Sequence, residues 1–107
     1  MIEADCYQEL RPIPWYDIAL VVAAEFHVLP EDLQAARGPQ HRSMARYVAF
    51  YLMRKRAGMS YPAIGRVFGR NHSTVIHGCN MVRARMAAQD GFRAVVEALE
   101  AKLILPT

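Results

Sequence analysis

The segment FGRNHSTVIHG, residues 68–78, brings together two histidines, two hydroxyl groups and one side-chain amide. All of these groups form hydrogen bonds, and each has partners among the edges of nucleic-acid bases. An asparagine amide can bond the N6 and N7 atoms of an adenine, and a threonine methyl packs against the methyl of thymine. The chemistry is therefore that of a base-reading surface, formed by Asn71, His72, Ser73, Thr74 and His77.

Metal binding and catalysis are the other uses that such side chains serve. His72 and His77 are five residues apart, so on a helix they diverge, and only Cys79 could join them as a ligand. The sequence has no evident Ser-His-Asp set, carboxylate pair or nucleophile beside a base. We therefore expect no metal, no cofactor, no small-molecule substrate and no enzyme activity.

The polar segment lies at the junction of two predicted helices. Ser60 can cap a short helix over residues 61–67, and Asn71 can cap a longer one over residues 72–88. The turn between them has the sequence FGR. This succession predicts a helix-turn-helix at about residues 60–88, whose second helix enters the major groove of DNA with its amino end first.

The longer helix has an apolar face and a polar face. At about 100° per residue, its polar groups fall opposite an apolar stripe that consists of Val75, Cys79, Val82 and Met86. The base-reading groups are therefore expected at the surface while the stripe packs against the core.

The rest of the sequence predicts more helices and no strand. Spacing and capping signals indicate helices from Pro14 to His27, from Pro30 to Arg37, from Met44 (capped by Ser43) to Ala57, and, after a break at Gly91, from Phe92 to Leu103. Four aromatic residues at apolar positions are expected in the core: Trp15, Phe26, Phe50 and Tyr51. We expect an arm of residues 1–13 and one all-α, multi-helix domain over residues 14–107.

Basic residues are concentrated in the middle of the chain, although its net charge is only +3. Between Leu33 and Gln89 lie ten basic residues, nine of them arginine, and no acidic residue. The planar guanidinium suits phosphate and guanine better than an ammonium group does. The pattern favours nucleic acid as the partner over an acidic membrane surface, for which no helix pairs a basic face with a broad apolar one.

Nothing in the sequence suggests a membrane span or a secretory signal. No run of about 18 apolar residues occurs, and the first residues are acidic. Cys6 and Cys79 are expected to be free thiols in a reducing compartment. We expect a cytoplasmic protein.

The stretch AIGRVFGRNHSTVIHG, preceded by MARYVAFYLMRK, resembles the carboxy-terminal DNA-binding domain of the DnaA family of bacterial replication initiators. That family has a signature of the form ARQ-A-YL followed by S-PEIG-FG-RDHTTV-HA, and the likeness runs from about Val22 to Val82. The resemblance implies a helix-turn-helix fold, double-stranded DNA as the partner, a role in replication initiation or its regulation, and association with the bacterial nucleoid.

The resemblance also implies roles for individual residues. Base reading in the major groove falls to Asn71, His72, Ser73 and Thr74. Phosphate contacts, or support for them, fall to Arg70, Arg54 and His77, while Pro62 places the short helix against the DNA backbone. Arg46 is expected to approach bases or phosphate. The basic loop before the third helix, with Arg37 and Arg42, is expected to enter the adjacent minor groove.

The sequence departs from the family pattern at several of these positions. Asn71 stands where the family has Asp, so the preference at that base could change, because an aspartate accepts from a cytosine amine whereas an amide both donates and accepts. Ser73 stands where the family has Thr, and it lacks the methyl group that could pack on thymine. In the basic loop, Gly38, Pro39 and Gln40 stand where the family is richer in Arg and Lys, which weakens the minor-groove assignment. The turn before the longer helix is one residue shorter than in some members. The family's nine-base box, TTATNCACA-like, is the leading candidate target.

No G-x-x-x-x-G-K-[ST] motif for an ATPase module is present, so the chain is either an excised domain or a stand-alone DNA-binding protein. The start methionine and the untypical arm from Met1 to Pro14 lead us to expect the stand-alone protein. A single motif reads an asymmetric box, so a monomer is expected on DNA, with a replication or regulatory protein as a second partner. Two alternatives stay open: a transcription regulator or phage-type protein with a changed target, and an adaptor that keeps the fold but binds a protein.

Overall fold

The computed structural model describes residues 13–34 and 40–104, with only the backbone described for residues 40–42. The described residues form six helices and no strand, which confirms the all-α expectation. The helices are α1 (Trp15–Glu25), α2 (Pro30–Gln34), α3 (Gln40–Arg56), α4 (Tyr61–Phe68), α5 (His72–Ala88) and α6 (Asp90–Ile104). The predicted arm lies outside these residues except for Ile13, whose backbone N–H donates to the carbonyl of Arg56 at 2.9 Å.

The helix ends differ from the predicted ones where the capping signal was weak. α1 ends at Glu25 rather than His27, because His27 turns the chain with a positive φ of 57°. α3 begins at Gln40 rather than Met44, so Ser43 lies inside the helix and does not cap it. The break before α6 is at Gln89, whose backbone is extended, and Gly91 lies inside the helix. The predicted end of α2, near Arg37, lies outside the described residues.

Helix α3 is the centre of the core. Buried residues recur along it at helical spacing and pack against α1, α2, α4 and α5; they are Ala45, Val48, Ala49, Phe50, Leu52 and Met53. Phe50 meets Phe68 of α4 edge to face, with the ring centroids 5.1 Å apart. The stripe of α5 packs on this core, with Val75, Cys79 and Val82 fully buried. α4 and α5 are thereby fixed relative to α3.

The expectation for the aromatic residues was only partly right. Phe50 is fully buried, and Phe26 and Tyr51 are half-buried against the core, but Trp15 is 37% exposed. α1 is apolar on most of its surface, with Trp15, Tyr16 and Leu20 on the side that the other helices leave uncovered. Helical spacing alone could not tell which apolar side of α1 would face the core.

A buried carboxylate joins the end of α3 to α6. Glu100 is 8% exposed, and its oxygens accept hydrogen bonds from Arg56 Nε at 2.6 Å and from Lys55 Nζ at 3.2 Å. Two of the ten basic residues in the middle of the chain therefore share one carboxylate from outside that region, which offsets one of their two charges. The cationic surface is smaller than the sequence suggests.

Candidate nucleic-acid interface

The turn between α4 and α5 fixes where the polar segment lies. Ser60 caps α4 by accepting a hydrogen bond from the N–H of Ala63 at 3.2 Å, and Gly69 ends the helix in the left-handed conformation. The N–H of Arg70 then donates to the carbonyl of Gly65 at 2.8 Å. A Cβ on Gly65 would lie 2.5 Å from the Arg70 carbonyl oxygen, so the turn can fold back this closely only against a glycine. The predicted capping residue and turn are confirmed.

Asn71 caps α5, also as predicted. Its Oδ1 accepts hydrogen bonds from the backbone N–H of Ser73 at 3.1 Å and from the Ser73 hydroxyl at 3.2 Å. Asn71, His72 and Ser73 are exposed and Thr74 is half-buried, while Val75 is fully buried. The structure therefore brings the four predicted base-reading residues together at the amino end of α5, which we call the polar tip (residues 71–74).

His77 lies one turn further along α5 and is exposed, against an aromatic residue of α3. Its ring meets Tyr47 edge to face, with centroids 5.9 Å apart and an interplanar angle of 89°. The neighbouring Gly78 has no room for a side chain, because a Cβ there would lie 2.6 Å from Tyr47 Cδ1 and 3.0 Å from Phe50 Cδ2. α5 thus approaches α3 closely enough for the Tyr47 ring to support His77.

Tyr47 is a residue that the sequence reasoning did not single out for the site. The signal that could have found it is a glycine inside a long helix, since such a glycine often marks a close helix contact. Gly78 is that glycine, and the half-buried Tyr47 is the side chain that occupies the space.

Arg54 lies in the last turn of α3, and Pro62 lies in the first turn of α4. The Arg54 guanidinium stacks 4.8 Å from the centroid of the Tyr61 ring, and its Nη1 donates to the carbonyl of Met59 at 3.1 Å. Both Arg54 and Pro62 are exposed. An arginine held on an aromatic face is pre-oriented, so it loses less side-chain entropy when it binds an anion.

Arg46 is not grouped with these exposed residues. It is 7% exposed, and its Nε donates to the carbonyl of Leu33 at 2.6 Å, which links α3 to α2. Burial, and then the nearby charge of Arg70, lower the pKa of Arg46 from its ordinary value. The two remaining residues that were predicted to contact DNA lie outside the described part of the structure. Arg37 is not described, and for Arg42 only the backbone is described.

Further basic residues lie along the helices that carry the site. Arg83 and Lys55 lie on the Tyr51 ring, 5.7 and 5.8 Å from its centroid, and Arg85 lies 4.8 Å from that of Phe92. Among the residues that the structure describes, no ion pair involves Arg54 or Arg83, whereas Lys55 is paired with Glu100. Positive charge is therefore available on α5 and at the end of α3.

In residues 13–34 and 43–104, no three His, Cys, Asp or Glu side chains lie together so that they could hold a metal ion. No helix in the described part of the chain has the length and apolarity to cross a membrane. Cys79 is a buried free thiol, and burial raises its pKa.

A comparison of the sequence with known families assigns the chain to one of them. The model of the family described as "Bacterial dnaA protein helix-turn-helix" matches residues 16–82. The chain belongs to this family. The matched residues run from the second residue of α1 to the middle of α5 and include the whole polar tip.

Individual DnaA proteins match over most of this chain. The chromosomal replication initiator protein DnaA of Streptococcus thermophilus is 34% identical over 96 residues, which cover 89% of this chain and 21% of that protein. The DnaA proteins of Streptococcus agalactiae and Geobacter sp. are 35% and 33% identical, over 85% and 90% of this chain. The chain spans about a fifth of the length of these relatives, which it matches in their carboxy-terminal portion.

Proposed function

We propose that this protein binds double-stranded DNA at a specific sequence by placing the amino end of α5 in the major groove. The observation that carries the proposal is the polar tip, where amide, imidazole and hydroxyl groups are exposed at the start of a helix whose opposite side is buried. Membership of the DnaA helix-turn-helix family supports it.

The proposal assigns base reading to the polar tip: Asn71, His72, Ser73 and Thr74. Phosphate contacts are assigned to exposed residues around it, Arg54 and His77, and to the half-buried Arg70, with Pro62 setting the approach of α4. Phosphate contacts supply most of the affinity in such complexes, and base contacts supply the selectivity. Entry of Arg37 and Arg42 into the minor groove, a DNA contact by Arg46, and an arm formed by residues 1–13 are part of the same proposal.

The target and the cellular role follow from the relatives. They are chromosomal replication initiator proteins, and we infer that this chain binds a box similar to theirs in replication initiation or its regulation. In this role it acts as a monomer on DNA in the bacterial cytoplasm, at the nucleoid, without catalysing a reaction. The alternative is a transcription regulator or phage-type protein that binds a different DNA sequence. The presence of Asn71 and Ser73, where the family has Asp and Thr, favours this alternative.

One observation favours an additional protein contact. Trp15, Tyr16 and Leu20 are 37%, 55% and 54% exposed on α1, beside a shallow apolar pocket that also includes Phe68. Isolated exposed apolar residues are ordinary, but a cluster of them is a feature of protein interaction sites. We infer that a replication or regulatory protein binds at this surface.

Selection from a pool of random duplexes tests the proposal. We expect one asymmetric motif to be enriched, with binding that weakens steeply as salt rises because bound counterions are released. Enrichment of a DnaA-like box would favour the replication role, and an unrelated motif would favour the transcription regulator. If no duplex is enriched and labelled duplex DNA is not bound at low salt, the proposal is wrong.

A further inference from the structure

The capping hydrogen bonds determine which groups Asn71 has left for DNA. Its carbonyl oxygen has two lone pairs, and both are engaged, by the Ser73 N–H at 3.1 Å and by the Ser73 hydroxyl at 3.2 Å. Because a backbone N–H needs an acceptor, the oxygen of the amide must face the helix and the nitrogen must face outward. Asn71 therefore offers solvent its NH₂ group, which only donates.

Ser73, in contrast to Asn71, offers solvent a hydrogen-bond acceptor. A serine hydroxyl has one proton to donate and two lone pairs that accept. Its proton is directed at Asn71 Oδ1, so the part of the exposed hydroxyl that remains for a ligand is an acceptor. A donor and an acceptor thus lie side by side at the polar tip, each oriented by its bond to the other residue.

The four bases differ in the groups that they present in the major groove. Adenine presents the N7 acceptor beside the N6 donor, guanine presents two acceptors, cytosine a donor, and thymine an acceptor beside a methyl group. Among single bases, adenine alone is complementary to an adjacent donor and acceptor on the protein. We propose that Asn71 and Ser73 together read one adenine, with Asn71 donating to N7 and Ser73 accepting from N6.

This inference rests on the proposed function and concerns which base is read at this position. An aspartate at position 71 would cap α5 equally well, because its carboxylate can also accept from the N–H of Ser73. Its second oxygen would then be an acceptor facing the groove, which suits the cytosine amine. Asn71→Asp therefore exchanges the donor for an acceptor while keeping the cap, and it separates base reading from helix stability.

The experiment starts from the enriched duplex and measures binding with each of the four bases at every position. At one position we expect the protein to prefer adenine over cytosine by about 5- to 150-fold, the range of a good bidentate contact. Asn71→Asp should reverse this preference in favour of cytosine at that same position. Ser73→Ala, which removes the acceptor and leaves the donor, should let guanine bind about as well as adenine, since both carry N7.

Asn80→Asp is the matched control, because it adds the same charge to an exposed asparagine of α5 beyond the polar tip, where Oδ1 accepts from Arg83. It should leave all base preferences unchanged. If Asn71→Asp changes overall affinity no differently from Asn80→Asp and moves no base preference, the inference is overturned. A wild-type preference for cytosine at the position that responds to Asn71 also overturns it. Absence of any preferred duplex would instead overturn the proposed function.

Discussion

The polar tip of α5 and the junction between α3 and α6 are both rich in polar groups, but their side chains have different partners. At the junction, Lys55 and Arg56 are bound to the buried carboxylate of Glu100. At the tip, Asn71 and Ser73 are bonded to each other and remain exposed. The polar groups of the junction connect two helices, whereas most of those at the tip are exposed and can contact a partner.

Two neighbouring arginines make the same contrast on a smaller scale. Arg56 is bonded to Glu100, while Arg54, at the same end of α3, is stacked on Tyr61 and exposed. The sequence gives them equal charge, and only the packing separates a structural cation from an available one. Substitutions in the two regions should therefore affect different measurements.

Glu100→Ala should have the largest effect, and it should be on stability. Removal of the buried carboxylate leaves Arg56 and Lys55 without their partner, although both are partly solvated, so we expect a loss of about 2–3 kcal/mol in the free energy of unfolding. Urea denaturation measures this loss. DNA affinity of the folded fraction should not fall, and a fall of tenfold or more would mean that the junction takes part in binding.

His72→Ala and Thr74→Ala should have the opposite signature. Each removes a proposed base contact at the tip, so we expect a loss of about 1–3 kcal/mol on the preferred duplex and little change on random DNA. Fluorescence anisotropy with both duplexes measures the two affinities, and urea denaturation checks that stability is kept. Equal losses on both duplexes would show that the tip does not read bases.

Arg54→Ala should produce a smaller and less selective loss. A phosphate contact carries no sequence information, so both duplexes should bind more weakly to a similar extent. The dependence of log K on log salt should become shallower by about one unit. Measurement of affinity at several salt concentrations tests this assignment, and a loss confined to the preferred duplex would instead make Arg54 a base contact.

Arg83→Ala should have the smallest effect. Arg83 lies beyond the polar tip along α5, where it contacts Tyr51 and donates to Asn80 at 3.1 Å. Surface substitutions of this kind usually change stability by no more than about 0.5 kcal/mol, and we expect an equally small change in affinity. A loss as large as that of Arg54→Ala would extend the interface along α5.

Local signals in the sequence predicted the helix-turn-helix well. Ser60 and Asn71 cap the helices that they were expected to cap, because capping depends on a hydrogen bond between residues two or three apart. The start of α3 was predicted wrongly, since a serine that can cap is also tolerated in a first turn. The break at Gln89 had no glycine or proline to mark it.

Non-local features could not be predicted in the same way. Glu100 is 44 residues from Arg56, and no pattern in the sequence links them. The burial of Arg46 depends on a carbonyl of α2, and the support of His77 by Tyr47 depends on the distance between α3 and α5. The proposed base-reading residues are consecutive, so their grouping at the start of α5 could be predicted. The proposed phosphate contacts come from three helices and from the turn before α5, and their arrangement depends on how these elements pack.

The most direct test of the central claim is to follow backbone amide signals by NMR while the preferred duplex is added to the protein. We expect the largest shifts at residues 70–74, with smaller ones near Arg54 and His77, and few changes on the exposed side of α1. A random duplex should shift the signals of the phosphate-binding residues but not those of the polar tip. Shifts concentrated at Trp15, Tyr16 and Leu20, with residues 70–74 unmoved, would contradict the account.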